Sequence, residues 1–381
     1  MINQNQLKLL NSELKGDLHF DELMRTLYAT DASVYKMMPL AVAIPKNNND
    51  IKKLITFASV YNTSLIPRTA GTSLAGQCVG EGIVVDVSKH FNSILNFNEK
   101  EKTVTVQPGV VRDELNNFLK PFGLFFGPNT STSNRCMIGG MVGNNSSGTT
   151  SIQYGVTRDK VVSLKTILSD GSEVVFESLN EEAFKMKLEL ETLEGKIYQN
   201  VFKELHPKTV QKEIKNQFPN SDIHRRNTGY AIDEIIKSQP FSNSKTALNL
   251  CQLLTGSEGT LAFTTEITLR LDNLPPKNSI LVASHFNSVE ACLNAVAPVM
   301  KHDLFTCEMM DKTILDLTKH NKIQQNNRQF IEGDPEAILM CEVRDDNIDV
   351  AKIKVENLIK DLEGYKLSYA NPLLFDEDIS N

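Results

Sequence analysis

Residues 67–77 read PRTAGTSLAGQ, and this loop is the most informative stretch of the chain. Short runs typical of β-strands precede it at residues 63–66 and follow it at residues 82–87. Its small side chains let backbone N–H groups converge, and such a nest of donors binds phosphate or pyrophosphate. Small-residue turns between strands also occur without a ligand. The residues that we expect to contact phosphate are Arg68, Thr69, Ala70, Gly71, Thr72, Ser73 and Gly76.

A second glycine-rich segment covers residues 127–161 and reads GPNTSTSNRCMIGGMVGNNSSGTTSIQYGVTRDKV. One interpretation is a long flexible loop. Structureless loops of this length are uncommon in compact domains and usually have a function, and the apolar pairs at 137–138 and 141–142 would bury their side chains. We therefore favour a glycine-lined surface on which the backbone contacts a large flat ligand.

A third segment, residues 255–271, reads TGSEGTLAFTTEITLRL. Its GSEGT run stands just before residues 263–270, in which apolar and polar side chains alternate as in a β-strand.

In this order and spacing, the three segments resemble the FAD-binding domain of the vanillyl-alcohol-oxidase-type, or PCMH-type, flavoproteins. The nearer likeness is to the FAD-linked oxidase family, which includes D-lactate dehydrogenases, the glycolate oxidase flavin subunit and D-2-hydroxyglutarate dehydrogenases. The first loop is similar to the family's Arg-Gly-Gly-Gly-Thr type pyrophosphate loop. The CMIGGMVGNNSSG run is similar to its Cys-x-Ile-Gly-Gly segment, and GSEGTL to its signature near the flavin ring. The resemblance covers roughly residues 25–370.

The resemblance implies an α+β fold: a PCMH-type FAD-binding domain of two α/β subdomains, followed by a partial ferredoxin-like cap domain. It also implies FAD held without a covalent bond, because Thr72 stands where some members carry the histidine that anchors the flavin. The residues expected around the adenine and the flavin ring are Pro128, Ser133, Gly139, Gly140, Asn145, Gly148, Gly155, Glu258 and Gly259.

Composition narrows the function class. The chain of 381 residues has a formal charge of −7 and a pI near 5.6, which argues against a nucleic-acid partner. No apolar run approaches the ~20 residues that span a bilayer, and the N-terminus lacks a signal-peptide core, so we expect a cytoplasmic protein, with peripheral membrane attachment left open. The six cysteines show no C-x-x-C spacing, so no metal or iron–sulfur site is expected in this chain.

The predicted organisation has three parts. Residues 1–40 are expected to form an N-terminal helical segment, residues 41–274 the FAD-binding domain, and residues 275–381 the partial substrate or cap domain. Residues of about 181–250 are predicted to be a helical insertion. Its first part, residues 181–206, is expected to be charged and solvated, with Gly195 interrupting the helix. In the last part we expect two βαβ units ending in a strand at residues 366–369.

Residues 224–230, HRRNTGY, interrupt the helical pattern of the insertion. The sequence is compatible with a basic surface loop and with a cation cluster that holds a substrate carboxylate. Family members carry an Asn-Thr-Thr-Gly-Tyr type loop here. Arg226 and Tyr230 are therefore candidates for the substrate side, and His224 could at most assist binding. No catalytic residue is assigned.

The resemblance implies oxidation of a D-2-hydroxy acid, such as D-lactate or D-2-hydroxyglutarate, to the 2-oxo acid. No second dinucleotide fingerprint is visible, so a quinone, a cytochrome or an iron–sulfur protein or domain is the expected electron acceptor rather than NAD. Family members carry a substrate-binding arginine and a His/Asn-rich segment further on, and the most similar branch appends an iron–sulfur region. We therefore expect a C-terminally truncated chain. Two alternatives stay open: an FAD-binding subunit or fragment that is inactive without a partner or the missing region, and a non-redox synthase on the same fold.

Overall fold

The computed structural model describes residues 2–220, 222–223, 225–227 and 229–375. These residues are divided between two units, each with its own core. The first unit runs to Gly148 and resumes over Gly155–Asn273, whereas the second comprises Thr149–Tyr154 and the chain from Leu274 onward.

A four-stranded sheet begins the first unit. Its elements are α1 Gln4–Glu13, β1 Asp17–His19, α2 Glu22–Leu27, β2 Ala41–Ile44, α3 Asn48–Tyr61, β3 Leu65–Arg68 and β4 Ile83–Asp86. The strand order is β1-β2-β4-β3, with β2, β4 and β3 parallel and β1 antiparallel to β2. Every residue of β2 and β4 is buried, as expected of parallel strands covered on both faces.

The N-terminal segment, which we expected to be helical, also contains the strand β1. The buried carboxylate of Asp50 explains its position, because it accepts hydrogen bonds from the backbone N–H groups of Lys15, Gly16 and Lys46, each at 2.9 Å. These bonds hold the chain before β1 beside the end of β2.

The second sheet of the first unit is antiparallel, with the order β5-β6-β10-β8-β9. Its strands are β5 Ile94–Asn98, β6 Thr103–Val106, β8 Val161–Ile167, β9 Glu173–Phe176 and β10 Phe263–Arg270. A short pair, β7 Leu124–Phe125 and β11 Asp272–Asn273, accompanies it. In β10 the buried residues alternate, which confirms the strand that the sequence predicted there.

The remaining helices of the first unit come after β6 in the chain. They are α4 Arg112–Leu119, α5 Ile138–Asn144, α7 Thr157–Lys160, α8 Glu181–Leu188, α9 Leu193–Leu205, α10 Lys208–Gln217, α11 Ile232–Ile235 and α12 Cys251–Leu254. The insertion is less solvated than predicted, since Phe184 and Tyr198 are buried in the core. Gly195 does not interrupt α9: a Cβ there would lie 2.0 Å from the Leu190 carbonyl oxygen, so this glycine permits close packing.

The second unit is ferredoxin-like. Its elements are α6 Ser151–Tyr154, β12 Asn278–Phe286, α13 Val289–Val299, β13 Thr306–Asp311, α14 Lys312–Lys319, β14 Ala337–Asp345, α15 Ile348–Gly364 and β15 Leu373–Phe375. The sheet order is β13-β14-β12-β15, all antiparallel, and α13 and α15 contribute to one apolar core.

The last strand was predicted in the wrong place. We expected it at residues 366–369, but β15 begins at Leu373, where it pairs with Ile280–Val282. Leu367 instead packs against the core of the unit.

No helix among the described residues has both the length and the apolar character needed to cross a bilayer.

Candidate functional site

A cavity of about 1030 Å³ lies within the first unit. That volume is at the upper end of the ~300–1,000 Å³ typical of pockets for small molecules and cofactors. All three glycine-rich segments contribute to its wall. The predicted site residues that line it are Arg68, Thr69, Ala70, Gly71, Thr72, Ser73, Gly139, Gly140, Arg226, Glu258 and Gly259.

The loop after β3 forms one wall. Gly71 has a left-handed backbone, with φ of +66°, which glycine adopts without strain. A Cβ at this position would lie 2.7 Å from the Arg68 guanidinium, so a larger residue would displace that side chain as well. The loop can therefore approach a ligand with its backbone because position 71 carries no side chain.

Arg68 holds the loop in place. Its guanidinium donates to the Thr30 carbonyl at 2.9 Å and lies 5.1 Å from the centre of the Tyr28 ring. The Tyr28 hydroxyl in turn donates to Asp86 at 2.6 Å. These contacts anchor the loop to the N-terminal segment, and direct binding of phosphate by Arg68 stays a prediction.

Helix α5 forms the second wall and packs closely against its neighbours. A Cβ on Gly139 would lie 2.4 Å from Pro108, and one on Gly140 would lie 2.8 Å from the Thr69 hydroxyl. The absence of a side chain therefore brings the helix backbone next to the loop at Gly140 and next to Pro108 at Gly139. We expected a glycine-lined surface here, and the short helix α5 provides it.

The GSEG turn forms the third wall. Glu258 and Gly259 both have left-handed backbones, with φ of +55° and +73°. The Glu258 N–H donates to the Gly143 carbonyl of α5 at 2.9 Å. A non-glycine residue in this conformation is uncommon, and this hydrogen bond to α5 helps to hold it there.

Glu258 connects all three walls. Its Oε1 accepts hydrogen bonds from Asn144 Nδ2 at 3.1 Å and from Gln77 Nε2 at 3.4 Å. The Gln77 Oε1 accepts from the Ser73 hydroxyl and from the Ala75 N–H. Burial raises the pKa of Glu258, and the two amide donors only partly oppose that rise. One carboxyl group therefore joins the three walls, and its burial disfavours the charged form of that group.

Three arginines besides Arg68 line the cavity, namely Arg135, Arg225 and Arg226. Arg226 is already paired, because it contacts the carboxylate of Asp233 and donates to Glu234 at 2.9 Å. A substrate carboxylate would have to compete with these two groups for the Arg226 guanidinium.

Tyr230 was the other candidate for the substrate side. The Tyr230 hydroxyl lies 2.7 Å from the Thr260 hydroxyl, and Tyr230 does not line the cavity. His224 lies outside the described residues.

Seven predicted site residues are not among those that line the cavity: Gly76, Pro128, Ser133, Asn145, Gly148, Gly155 and Tyr230. Ser133 donates to Asp113 at 3.0 Å, the Pro128 carbonyl accepts from Arg112 at 2.7 Å, and the Asn145 side chain accepts from the Arg158 N–H at 2.9 Å.

The three glycines of this group pack against protein atoms. A Cβ on Gly76 would lie 2.7 Å from the Tyr35 ring, one on Gly148 would lie 2.2 Å from the Asn129 side chain, and one on Gly155 would lie 2.4 Å from Asp159. Direct contact of all seven residues with a ligand stays a prediction.

Several lining residues were not predicted. Gln77 and Asn144 each adjoin a predicted position. Their amide groups are the kind of hydrogen-bond donor that a carboxylate such as Glu258 needs, and this was the available signal. Arg135 and Arg225 also line the cavity, and their charge beside the glycine-rich segments was the available signal.

Among the described residues, no group of three or more His, Cys, Asp or Glu side chains is arranged to hold a metal ion.

Comparison with known families decides the cofactor. Residues 39–177 match the FAD binding domain, and residues 275–368 match the C-terminal domain of FAD linked oxidases. The chain belongs to the FAD-linked oxidase family. Its cofactor is FAD, and the cavity fits this cofactor. Gly71 and Gly140 line the cavity without side chains, and a Cβ at either position would meet neighbouring atoms and narrow the cavity.

Curated relatives of this chain include two named D-2-hydroxyglutarate dehydrogenase. The protein from Haemophilus influenzae is 35% identical over 84% of this chain and 31% of its own length. The protein from Pseudomonas putida is 32% identical over 93% of this chain and 35% of its own length. Glycolate oxidase subunit GlcD of Bacillus subtilis is 28% identical over 82% of this chain and 54% of its own length. The chain thus spans about one third of the length of the first two relatives.

Solved structures support the fold alone. An alkyldihydroxyacetonephosphate synthase has a TM-score of 0.64 at 16% identity, over 97% of this chain and 61% of its own. The BBE-like 1 protein of Physcomitrella patens has a TM-score of 0.61 at 11% identity, over 97% of this chain and 62% of its own. These neighbours agree with a PCMH-type FAD-binding fold.

Proposed function

We propose that the chain is the FAD-binding part of a dehydrogenase that oxidises a D-2-hydroxy acid to the 2-oxo acid. D-2-hydroxyglutarate is the first candidate substrate and D-lactate the second. The observation that carries the proposal is the cavity built from three glycine-rich segments, in a chain whose relatives at 32–35% identity are named D-2-hydroxyglutarate dehydrogenase.

The chain's own residues bind and orient the cofactor. In this proposal the backbone N–H groups of residues 69–73 hold the pyrophosphate, because the loop is anchored by Arg68 and opened by Gly71. Gly139 and Gly140 lie along the cofactor, and Glu258 and Gly259 lie near the ring. The chemistry that FAD supplies is two-electron oxidation of an alcohol carbon. The link is non-covalent, since Thr72 offers no imidazole for attachment.

The substrate side is proposed to lie near residues 225–230. A 2-hydroxy acid carries a carboxylate, and guanidinium groups bind carboxylates through paired, charge-assisted hydrogen bonds. Arg225 and Arg226 supply such groups at the cavity wall, and Arg226 is kept in position by Asp233 and Glu234. We propose that Arg226 orients this loop and that Tyr230 supports it through Thr260.

The electron acceptor is proposed to be a quinone, a cytochrome or an iron–sulfur protein or domain. The proposal rests on the absence of a second dinucleotide fingerprint from the sequence. We propose that the protein lies in the cytoplasm. The alternative is peripheral attachment to a membrane, and cell fractionation distinguishes the two locations.

A second candidate function is an FAD-binding subunit or fragment that turns over only with a partner chain or further sequence. The observation that favours it is the composition of the cavity wall: among the described lining residues there is no histidine to act as a general base. A base must lie within ~3 Å of the proton that it removes.

The non-redox synthase alternative has less support. The synthase neighbours share the fold at 16% identity, and a likeness at that level carries no activity with it. This alternative predicts that the bound flavin stays oxidised when any 2-hydroxy acid is added.

The test is flavin reduction in the purified chain. Acid precipitation should release all of the yellow colour into the supernatant, because the link is non-covalent. The D and L forms of 2-hydroxyglutarate and lactate are then added without oxygen, and flavin absorbance is followed. Slow or no bleaching in this chain, together with fast bleaching by a D acid when a longer homologous chain is used, supports the fragment form of the proposal. Fast bleaching by the L acids only, or by no acid in either chain, contradicts it.

A further inference from the structure

Two cysteines face each other across the sheet of the second unit. Cys307 on β13 lies directly opposite Cys341 on β14, and their Sγ atoms are 4.0 Å apart. Neither residue lines the cofactor cavity. We infer that this pair is a modification site, at which a peroxide converts the two thiols into a cross-strand disulfide.

The backbone positions of the pair suit a disulfide. Just beyond β13, the Lys312 N–H donates to the Glu336 carbonyl at 2.9 Å, so these opposed residues form a hydrogen-bonded pair. Hydrogen-bonded and non-hydrogen-bonded pairs alternate along an antiparallel ladder. Cys307 stands five positions before Lys312, so Cys307 and Cys341 form a non-hydrogen-bonded pair.

Such pairs bring the two Cα atoms to ~4.5 Å, which is inside the ~4.4–6.8 Å range of natural disulfides. Rotation of the side chains can therefore close the remaining gap between the sulfurs without a change of register.

The two thiols differ in access. In the described part of the chain β13 is an edge strand, and Cys307 is only partly buried. Cys341 lies on the central strand β14 and is 0% exposed, as is Cys292 on α13. An oxidant from solvent therefore meets Cys307 first.

The two thiols also differ in acidity. The Cys341 thiol lies within hydrogen-bond reach of the Cys307 sulfur, and this contact lowers the pKa of Cys307 while it raises the pKa of Cys341. A lower pKa favours the thiolate, which is the nucleophilic form. Burial raises the pKa of Cys292 to about 11, so this third thiol is a poor competitor.

The oxidation balances with hydrogen peroxide as the oxidant. The Cys307 thiolate attacks one peroxide oxygen, an S–O bond forms, the O–O bond breaks and hydroxide leaves, which gives a sulfenic acid. Cys341 then loses its proton to that hydroxide and attacks the Cys307 sulfur, so the S–S bond forms and the second oxygen leaves as hydroxide, which takes up a proton from solvent. Two thiols are oxidised by two electrons, and the peroxide is reduced to two molecules of water. The main cause of the raised pKa of Cys341 is its hydrogen bond to Cys307, and that contact is changed as soon as Cys307 is oxidised.

The experiment is a cysteine map of the whole FAD-loaded chain. The protein is treated with dilute hydrogen peroxide, alkylated with N-ethylmaleimide, digested without reductant and analysed by mass spectrometry. We expect one cross-linked peptide pair joining Cys307 to Cys341, lighter by two hydrogen atoms than the two thiol peptides together. Dithiothreitol should restore both thiols, and the other four of the six cysteines should be alkylated throughout.

Two variants separate the pair from the third thiol. Cys292→Ser should keep the cross-link, whereas Cys341→Ser should lose it and leave Cys307 trapped by a sulfenic-acid reagent. The wild-type map decides the question even if Cys341→Ser fails to fold. The inference is overturned if both thiols stay alkylated under conditions that oxidise added glutathione. It is equally overturned if Cys307 cross-links to Cys292, or if Cys307 becomes a sulfinic acid while Cys341 stays a free thiol.

Discussion

The first unit is rich in glycine, and the second unit is rich in packed apolar side chains. Of the 20 glycines, only Gly333 and Gly364 lie after residue 273. In the first unit, missing side chains let backbone approach backbone around a cavity. In the second unit, α13 and α15 bury valines and leucines in the core beside the sheet. The first unit should therefore be sensitive to added atoms, and the second unit to removed atoms.

The largest effect is expected from atoms added to the first unit. Gly71→Val should weaken FAD binding by at least ~10³-fold, or about 4 kcal/mol. The new side chain meets the Arg68 guanidinium and forces a β-branched residue into a left-handed conformation. FAD affinity is measured by flavin fluorescence during titration of the apoprotein.

Gly123→Val is the matched control for this change. Gly123 has nearly the same backbone, with φ of +69°, and a Cβ there meets no atom within 4 Å. The control should lower stability while FAD binding persists. If both variants keep FAD equally well, the loop is not the pyrophosphate site.

Atoms removed from the second unit give the next effect. Leu358 on α15 is 0% exposed, and Leu358→Ala should cost about 2–5 kcal/mol of unfolding free energy. FAD affinity should stay within about twofold of wild type, a difference of roughly 0.4 kcal/mol. Urea unfolding followed by circular dichroism measures the first quantity. Val350→Ala, at a 39% exposed position of the same helix, should change stability by less than ~0.5 kcal/mol.

The third effect tests charge in the first unit. Arg226→Met keeps most of the side-chain volume but leaves Asp233 without its cation, and Asp233 is only 10% exposed. We expect a loss of about 2 kcal/mol, below the ~3–5 kcal/mol of fully buried pairs, because Glu234 keeps its contact with Lys237. Lys237→Met, which breaks only that exposed pair, should cost ~0.2–1 kcal/mol. If the stability of Arg226→Met is unchanged and its KM for the hydroxy acid is raised, Arg226 acts only as a substrate ligand.

The smallest effect is a pH slope at Glu258. Burial raises the pKa of this carboxyl in the folded chain, so the folded state binds the proton more tightly than the unfolded state does. Wild-type stability should therefore fall relative to Glu258→Gln as pH rises from about 4.3, the ordinary glutamate value, through the raised pKa. Urea midpoints of both proteins across this range measure the slope, and Glu356→Gln corrects for the loss of one negative charge. A difference that does not change with pH would show that Glu258 ionises as it does in the unfolded chain.

Local pattern was enough to predict much of the fold. The alternation of residues in β10 follows from side-chain periodicity, and the structure confirms it. The position of β15 could not be found in this way, because a short edge strand is set by its partner, Ile280–Val282, and not by its own residues.

The site was less predictable. A glycine indicates that other atoms approach the backbone closely, but it does not show whether these atoms belong to a ligand or to the protein. Gly71 and Gly140 line the cavity, whereas Gly148, in the same kind of sequence, packs against Asn129. The anchoring of Arg68 by the Thr30 carbonyl was also invisible, since it joins residues that are 38 positions apart.

The segment Thr149–Tyr154 matters when the two units are to be expressed separately. It belongs to the second unit although it precedes most of the first unit's antiparallel sheet in the chain. Gln153 donates to the Leu304 carbonyl at 2.6 Å, and the Tyr154 ring meets Phe305 edge-on. Expressing only residues 274–381 would strip the second unit of both contacts and leave that carbonyl without its donor. A soluble version should carry residues 149–154 as well, grafted on through a designed connection, because a single cut cannot separate the two units cleanly.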